Sequence, residues 1–274
     1  MLNNKIFENL ISYEDYLSKN PFHKSLGVDL STYGEVDRNH QYSTFFSVDP
    51  DLEESFPVEL DDLIRLHYLV TSRKVTTILE FGVGPSSCVF DHALKKNKVF
   101  LDNVSTNLRR SNLFECHSLD NNQHWIDICK KNFTTDNVNY HHCECIVSTF
   151  NDRICTYFAP LPNICPDLIY LDAPDQFSPT GNIRGISTNH ADRLPMSADI
   201  LALEHFLLPG TLIVVDGRTA NARFIKANLQ RNWSYWHSDE FDQHFFELTE
   251  QPLGVYNKRQ IDFCLGDSFY DRII

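Results

Sequence analysis

The sequence predicts an α/β domain built on a mostly parallel sheet that closes on an antiparallel hairpin, and three observations carry the prediction. From residue 58 onward, strand-like apolar runs alternate with helix-like runs, as crossover connections between parallel strands require. One run, Thr77-Ile78-Leu79-Glu80-Phe81-Gly82-Val83-Gly84-Pro85-Ser86-Ser87, reads as a buried strand breaking into a glycine turn. Four of the strand-like runs end in an acid: Glu80, Asp120, Asp172 and Asp216.

Residues 1–57 are polar and aromatic with weak periodicity, with Tyr13, Tyr16, Phe22, Tyr33, Tyr42, Phe45 and Phe46 scattered among Asp, Asn and Ser. They read as an N-terminal arm or cap, and residues 58–274 as the main domain. The arm's aromatics need cover, either from the domain's crevice or from a partner subunit, so the arm is the expected route to a homo-oligomer.

After Pro57, the residues Val58, Leu60, Leu63, Leu66, Leu69 and Val70 recur at helical spacing and lead into a strand over 76–81. Ser86 or Ser87 is expected to cap the next helix. A strand over 114–119, ending at Asp120, precedes a helix over 122–133 and a strand over 138–147. The strand over 167–171 ends at Asp172. A helix over 197–208 with Ser197 as its cap follows, then a strand over 210–215 ending at Asp216 and a helix over 219–229. The runs 234–241 and 243–248 stand too close for a crossover helix and predict a hairpin. Residues 176–196 form a long polar loop, a length that suits a lid. His67 and Trp125 are read as packing residues.

Composition narrows the function. With 24 basic against 37 acidic side chains the formal charge is -13, which argues against a general nucleic-acid or anionic-membrane surface. Local basic patches remain at Arg109 with Arg110, and among Arg184, Arg193, Arg218, Arg223 and Lys226. The eight cysteines include Cys143 and Cys145 one residue apart, without partners at zinc spacing. They read as small buried hydrophobes in a reduced compartment. The first twenty residues mix acids with apolar residues, unlike a signal peptide, and no apolar run is long enough to span a bilayer. A cytoplasmic protein is expected.

Gly82 and Gly84 let the backbone turn and approach a ligand closely. No Lys follows them, as a phosphate loop would need, and Ser87 stands where a dinucleotide fingerprint wants its third glycine. Glu80 would repel a pyrophosphate and suits a ligand with hydroxyls and a cationic end. A single acid after a strand is usually a turn residue; four on the carboxyl edge of one sheet, beside a glycine turn, mark a ligand crevice.

On these residues the stretch 58–250 resembles a class I S-adenosylmethionine-dependent methyltransferase of the small-molecule O-methyltransferase kind. Glu80 to Gly84 is similar to the family's first motif, and Ser118-Leu119-Asp120 resembles its second. Leu168 to Asp172 resembles the strand at the reaction centre, and Gly210 to Asp216 the strand after it. The resemblance implies a Rossmann-like, doubly wound, seven-stranded sheet and S-adenosylmethionine as cofactor. Asp120 then holds the ribose hydroxyls, while Glu80, Gly82, Gly84, Ser86 and Ser87 surround the cofactor's amino-acid end.

Asp172 is expected to orient the acceptor or act as base, with Asp216 beside it. His190 with Asp192 offers a second base from the loop, and Arg184 or Arg193 a hold on an anionic acceptor such as a sugar phosphate. The stretch Asp172-Ala173-Pro174-Asp175 differs from the Asn/Asp-Pro-Pro-aromatic motif of many amino-methylating enzymes. The expected acceptor is therefore an oxygen of a small polar metabolite, a sugar or sugar derivative. Metal dependence stays open. Gly217 and Arg218 stand where metal-dependent relatives carry a second ligand, yet magnesium tolerates several waters. The rival readings are an NAD(P)-dependent oxidoreductase, which the glycine turn alone permits, and a non-catalytic cofactor-binding protein that keeps the fold.

Overall fold

Why the strand-like runs become one sheet is visible in how the central ones alternate. In the computed structural model, which describes residues 4–27, 59–103 and 107–273, the elements follow in the order α1 (Tyr13–Lys19), α2 (Leu60–Ser72), β1 (Thr77–Phe81), α3 (Pro85–Asp102), β2 (Glu115–Asp120), α4 (Gln123–Asn132) and β3 (Val138–His142). There follow β4 (Glu144–Phe150), β5 (Arg153–Ala159), β6 (Leu168–Leu171), α5 (Asp199–Leu203), β7 (Leu212–Asp216), α6 (Thr219–Asn228), β8 (Trp233–Ser238), β9 (Gln243–Leu248) and α7 (Val255–Cys264). Ile78, Leu168 and Val214 join Leu63, Leu66, Val89 and Phe90 in one apolar core, while Leu79, Ile169 and Ile213 join Ile200, Ala222 and Ile225 in another. Apolar residues at every position of β1 and β6 except Thr77 and Glu80 are what a parallel strand covered on both faces requires.

The sheet is Rossmann-like and doubly wound, with seven strands in the order β3-β2-β1-β6-β7-β9-β8. Pairs β3/β2, β2/β1, β1/β6 and β6/β7 are parallel, and β9 runs antiparallel to both β7 and β8. Strand order reverses between β1 and β6, so the crevice of such a sheet opens beside the Gly82 turn.

The amino edge is closed by Asp167. Its carboxylate accepts hydrogen bonds from the Thr76 and Thr77 amides (3.0 and 2.6 Å), the Thr76 hydroxyl (2.9 Å) and the Gln260 amide (3.3 Å), with Arg110 3.8 Å away. One side chain thus fixes β1 against β6, the two strands that carry Glu80 and Asp172.

The structure departs from the sequence expectation along 138–159 and 197–208, and it adds α7. The run 138–147 is two strands, because β2 ends at Asp120, opposite His142, and leaves the following residues without a partner. From Glu144 the chain pairs with β5 in a separate two-stranded sheet. The helix expected over 197–208 stops at Leu203 and tightens into a 3-10 turn over Glu204–Phe206. There the Arg231 guanidinium takes the carbonyls of Glu204 and Leu207 (3.0 and 2.5 Å). Ser197 does not cap it; its hydroxyl donates to Asp199 (2.9 Å).

Residues 4–27 lie against α2 and the β8–β9 hairpin. Leu17 and Phe22 are buried in the core that includes α2, Tyr16 bonds His67 and Thr71 (2.7 and 2.9 Å), and Phe7 meets Phe241 and Phe245 edge-on. Pro57, Val58, Tyr33, Tyr42, Phe45 and Phe46 lie outside the described residues. No helix among the described residues is long and apolar enough to cross a membrane.

Removing the Asp167 carboxylate strips buried strand amides of their acceptor and leaves Arg110 without its charge partner. Asp167→Ala is expected to cost about 3 kcal/mol in urea denaturation, and Asp167→Asn less.

Candidate functional site

The glycine turn is held from below by a carboxylate with no access to solvent. Glu80 is fully buried and accepts hydrogen bonds from the hydroxyls of Ser86 (2.5 Å), Ser87 (2.6 Å) and Ser118. Of the two serines expected to cap α3, Ser86 turns inward, while Ser87 donates to Glu80 and also accepts the Gly84 amide at 3.5 Å in a capping-box contact. The N-cap is Gly84, with Pro85 in the first turn, where its missing N–H costs nothing. Burial pushes the Glu80 carboxyl up to about 7 against the pull of the three hydroxyls.

Gly82 and Gly84 have different reasons to be glycine. Gly82 sits at φ 103°, and a Cβ there would meet the Asp172 carbonyl oxygen at 3.1 Å and Ala173 at 3.3 Å. It is needed for the contact between the β1 and β6 ends. A Cβ on Gly84 would meet only the Ser86 hydroxyl, at 3.9 Å. The space in front of Gly84 is open.

Asp120 ends β2 beside this turn and is nearly buried. One carboxylate oxygen accepts the Val83 amide (3.0 Å) and the other the Asn122 amide (2.8 Å). Each oxygen keeps a second lone pair, so the group is oriented by backbone yet able to accept two more hydrogen bonds. Burial raises its pKa, and the nearby Asp175 adds to the rise.

The second half of the crevice is formed by β6 and β7, whose ends place Asp172 and Asp216 on adjacent strands. The Asp172 side chain keeps 54% of its surface open, yet the protein around it and the Asp216 charge raise its pKa, against the pull of Arg218. Arg218 Nε lies 3.6 Å from Asp172 Oδ1, and Arg218 Nη2 donates to the carbonyls of Asp172 (3.1 Å) and Pro174 (2.7 Å). Asp216 accepts from the Tyr170 hydroxyl and from Gln243 Nε2 (3.2 Å). Burial raises its pKa, and those two donors pull it back.

The loop after β6 lies against the β4–β5 hairpin. Thr180 exchanges hydrogen bonds with Cys145 and Val147 (2.9 and 2.8 Å), and Thr156 with Met196 and Ala198 (2.9 and 3.0 Å). His190 is exposed on this loop, 3.9 Å from Asp192, with its carbonyl held by Gln176 (2.6 Å). Arg184 and Arg193 are exposed there. The structure thus groups Glu80, Gly82, Gly84, Ser86, Ser87 and Asp120 at the β1–β2 end and Asp172 with Asp216 at the β6–β7 end. His190 has loop neighbours instead. Sequence reasoning assigned no role to Ser118, Tyr170 or Gln243, and gave Arg218 none beyond its charge. A signal existed for Ser118 alone, two residues before the strand-end acid on the same face as Cys116.

Among the described residues no group of three or more His, Cys, Asp or Glu side chains converges to hold an ion, and Asp172 and Asp216 are engaged by Arg218, Tyr170 and Gln243.

No family model and no curated protein matches the chain. Solved structures do, in 19 chains, and two of them follow. One is the methyltransferase PaMTH1 of Podospora anserina in its SAH-bound form, 12% identical, covering 91% of this chain and 98% of its own, with a TM-score of 0.43. The other, a candidate caffeoyl-CoA O-methyltransferase from Staphylococcus aureus, is 13% identical and covers 85% of this chain and 97% of its own, with a TM-score of 0.38.

The raised Glu80 pKa has a defined sign. The folded state holds this proton up to about 7, whereas the unfolded chain releases it near the ordinary value, so its contribution is full below that value and is lost as pH rises through 7. Asp199, also pushed up to about 7 by burial, acts in the same direction. Glu80→Gln removes one share, and its melting temperature is expected to fall less than that of the wild type between pH 5 and 8.

Proposed function

We propose that the chain transfers a methyl group from S-adenosylmethionine to an oxygen of a small polar metabolite, a sugar or sugar derivative. The observation that carries the reading is the contrast between the two acids of the glycine turn. Glu80 is consumed by protein hydroxyls beneath α3, while Asp120 is oriented by two amides with lone pairs to spare beside the open space at Gly84. A pair of vicinal ribose hydroxyls suits the Asp120 carboxylate. Above a pH of about 7, where Glu80 is ionised, its charge beneath the first turn of α3 opposes a pyrophosphate there and favours a ligand with a cationic end, which counts against a nicotinamide dinucleotide.

When bound, the cofactor supplies a methyl group on a sulfonium, an electrophile that needs only an aligned nucleophile. The chain's own residues provide the alignment. Asp120 and the Gly84 opening fix the cofactor end of the crevice, and Gly82 lets the β1 turn close onto the Asp172 backbone. Asp172, open to the cleft, accepts the proton of the acceptor hydroxyl as the oxygen attacks. Asp216 is tied to Tyr170 and Gln243 and acts on Asp172 through its charge. His190 stays outside this arrangement, since its ring faces Asp192.

S-adenosylhomocysteine is expected to raise the melting temperature while NAD leaves it unchanged; the reverse result sinks the reading. Asp120→Ala is expected to weaken S-adenosylhomocysteine binding about ten- to a hundredfold by calorimetry, the worth of hydrogen bonds to a charged group. Its far-UV circular dichroism should match the wild type.

A further inference from the structure

Asp172 and Asp216 end neighbouring strands at the proposed reaction centre, where two carboxylates ordinarily need a cation. Protein donors already offset part of the Asp216 charge and leave one lone pair on each oxygen. One of its oxygens takes the Tyr170 hydroxyl, the other takes Gln243, and the next residue, Gly217, offers no side chain. Asp172 has a cation already. Arg218 is anchored through Nη2 to the carbonyls of Asp172 and Pro174, which presents its Nε toward the Asp172 carboxylate at 3.6 Å. That separation is an ion pair but not a hydrogen bond. Arg218 Nε is buried and has no hydrogen-bond partner, so one charged N–H beside the base is left to be used.

Resting on the methyl-transfer reading, we propose that Arg218 supplies the positive charge that holds the acceptor's reacting oxygen beside Asp172, in the place a divalent metal would otherwise take. The acceptor hydroxyl gives its proton to Asp172. Its oxygen, steadied by the Arg218 Nε–H, uses a lone pair to bond the methyl carbon, and the carbon–sulfur bond breaks with its electrons passing to sulfur, leaving a neutral thioether. No further reactant is needed. The guanidinium is fixed in direction by two backbone carbonyls, so its N–H is aimed before the acceptor arrives. Arg218 follows the β7 acid by two residues, which puts the charge on the strand edge rather than on the 176–196 loop, where Arg184 and Arg193 are exposed.

The test needs no known acceptor. The full chain, saturated with S-adenosylhomocysteine, is titrated with manganese chloride by calorimetry as wild type, Arg218→Ala and Arg218→Lys. The wild type and Arg218→Lys are expected to show no saturable site, and Arg218→Ala to gain at least about tenfold in manganese affinity as the repelling charge leaves Asp172. One-to-one manganese binding by the wild type that Asp172→Asn abolishes overturns the proposal, and so does identical behaviour of wild type and Arg218→Ala. Where a panel of sugars and phenols yields turnover, EDTA should leave the rate unchanged. Arg218→Ala should lower kcat about a hundredfold or more with little change in KM, and added guanidinium should restore part of it; loss of turnover in EDTA overturns the proposal. Failure of S-adenosylhomocysteine to bind the wild type would instead remove the methyl-transfer reading itself, so the two failures are distinct.

Discussion

A buried carboxylate that never meets solvent holds the site together. Glu80 gathers hydroxyls from α3 and from β2, and in doing so ties the first turn of α3 to the β1–β2 strand pair. Leaving such a group uncompensated costs several kcal/mol, and the three hydroxyls are what makes its position tolerable. Because Ser86 and Ser87 point down to Glu80, the first turn of α3 is pinned, Gly84 is left facing open space, and the Val83 amide is aimed at Asp120. The neighbouring acid is thereby oriented without being consumed.

The same division of labour recurs at the other strand ends. Asp216 is bound to Tyr170 and Gln243, while Asp172 keeps an open face and an ion pair to Arg218. Each pair of adjacent strands presents one acid that braces the frame and one that faces the cleft. Asp167 at the amino edge keeps β1 and β6 in register, so the two pairs are held at a fixed spacing.

The sheet and its acids were legible because buried parallel strands leave a strong pattern: an uninterrupted apolar run, an acid, then a turn. The four strand-end acids fall where that pattern puts them. What the pattern does not encode is which acid turns inward. Ser118 lies 38 residues from Glu80, and no local spacing links them. Arg218 was visible as a charge, but its partner is 46 residues away. The β4–β5 hairpin escaped because the run 138–147 is apolar enough to read as one strand, and only the length of β2 dictates where it leaves the sheet. The short α5 escaped for a related reason, since Arg231, which takes the Glu204 and Leu207 carbonyls of the 3-10 turn that follows it, comes from beyond α6. α7 went unread because its sequence carries little amphipathic pattern and its buried face includes Asn257 and Gln260.

The central claim is that the brace at Glu80 leaves Asp120 and the Gly84 opening free to receive an adenosyl ligand. A crystal structure of the chain with S-adenosylhomocysteine tests it most directly. The account predicts ribose hydroxyls within hydrogen-bond distance of the Asp120 carboxylate and ligand density passing Gly84, with Glu80 still bonded to its three serines. Density that avoids this turn, or a ribose held elsewhere with Asp120 untouched, would contradict it.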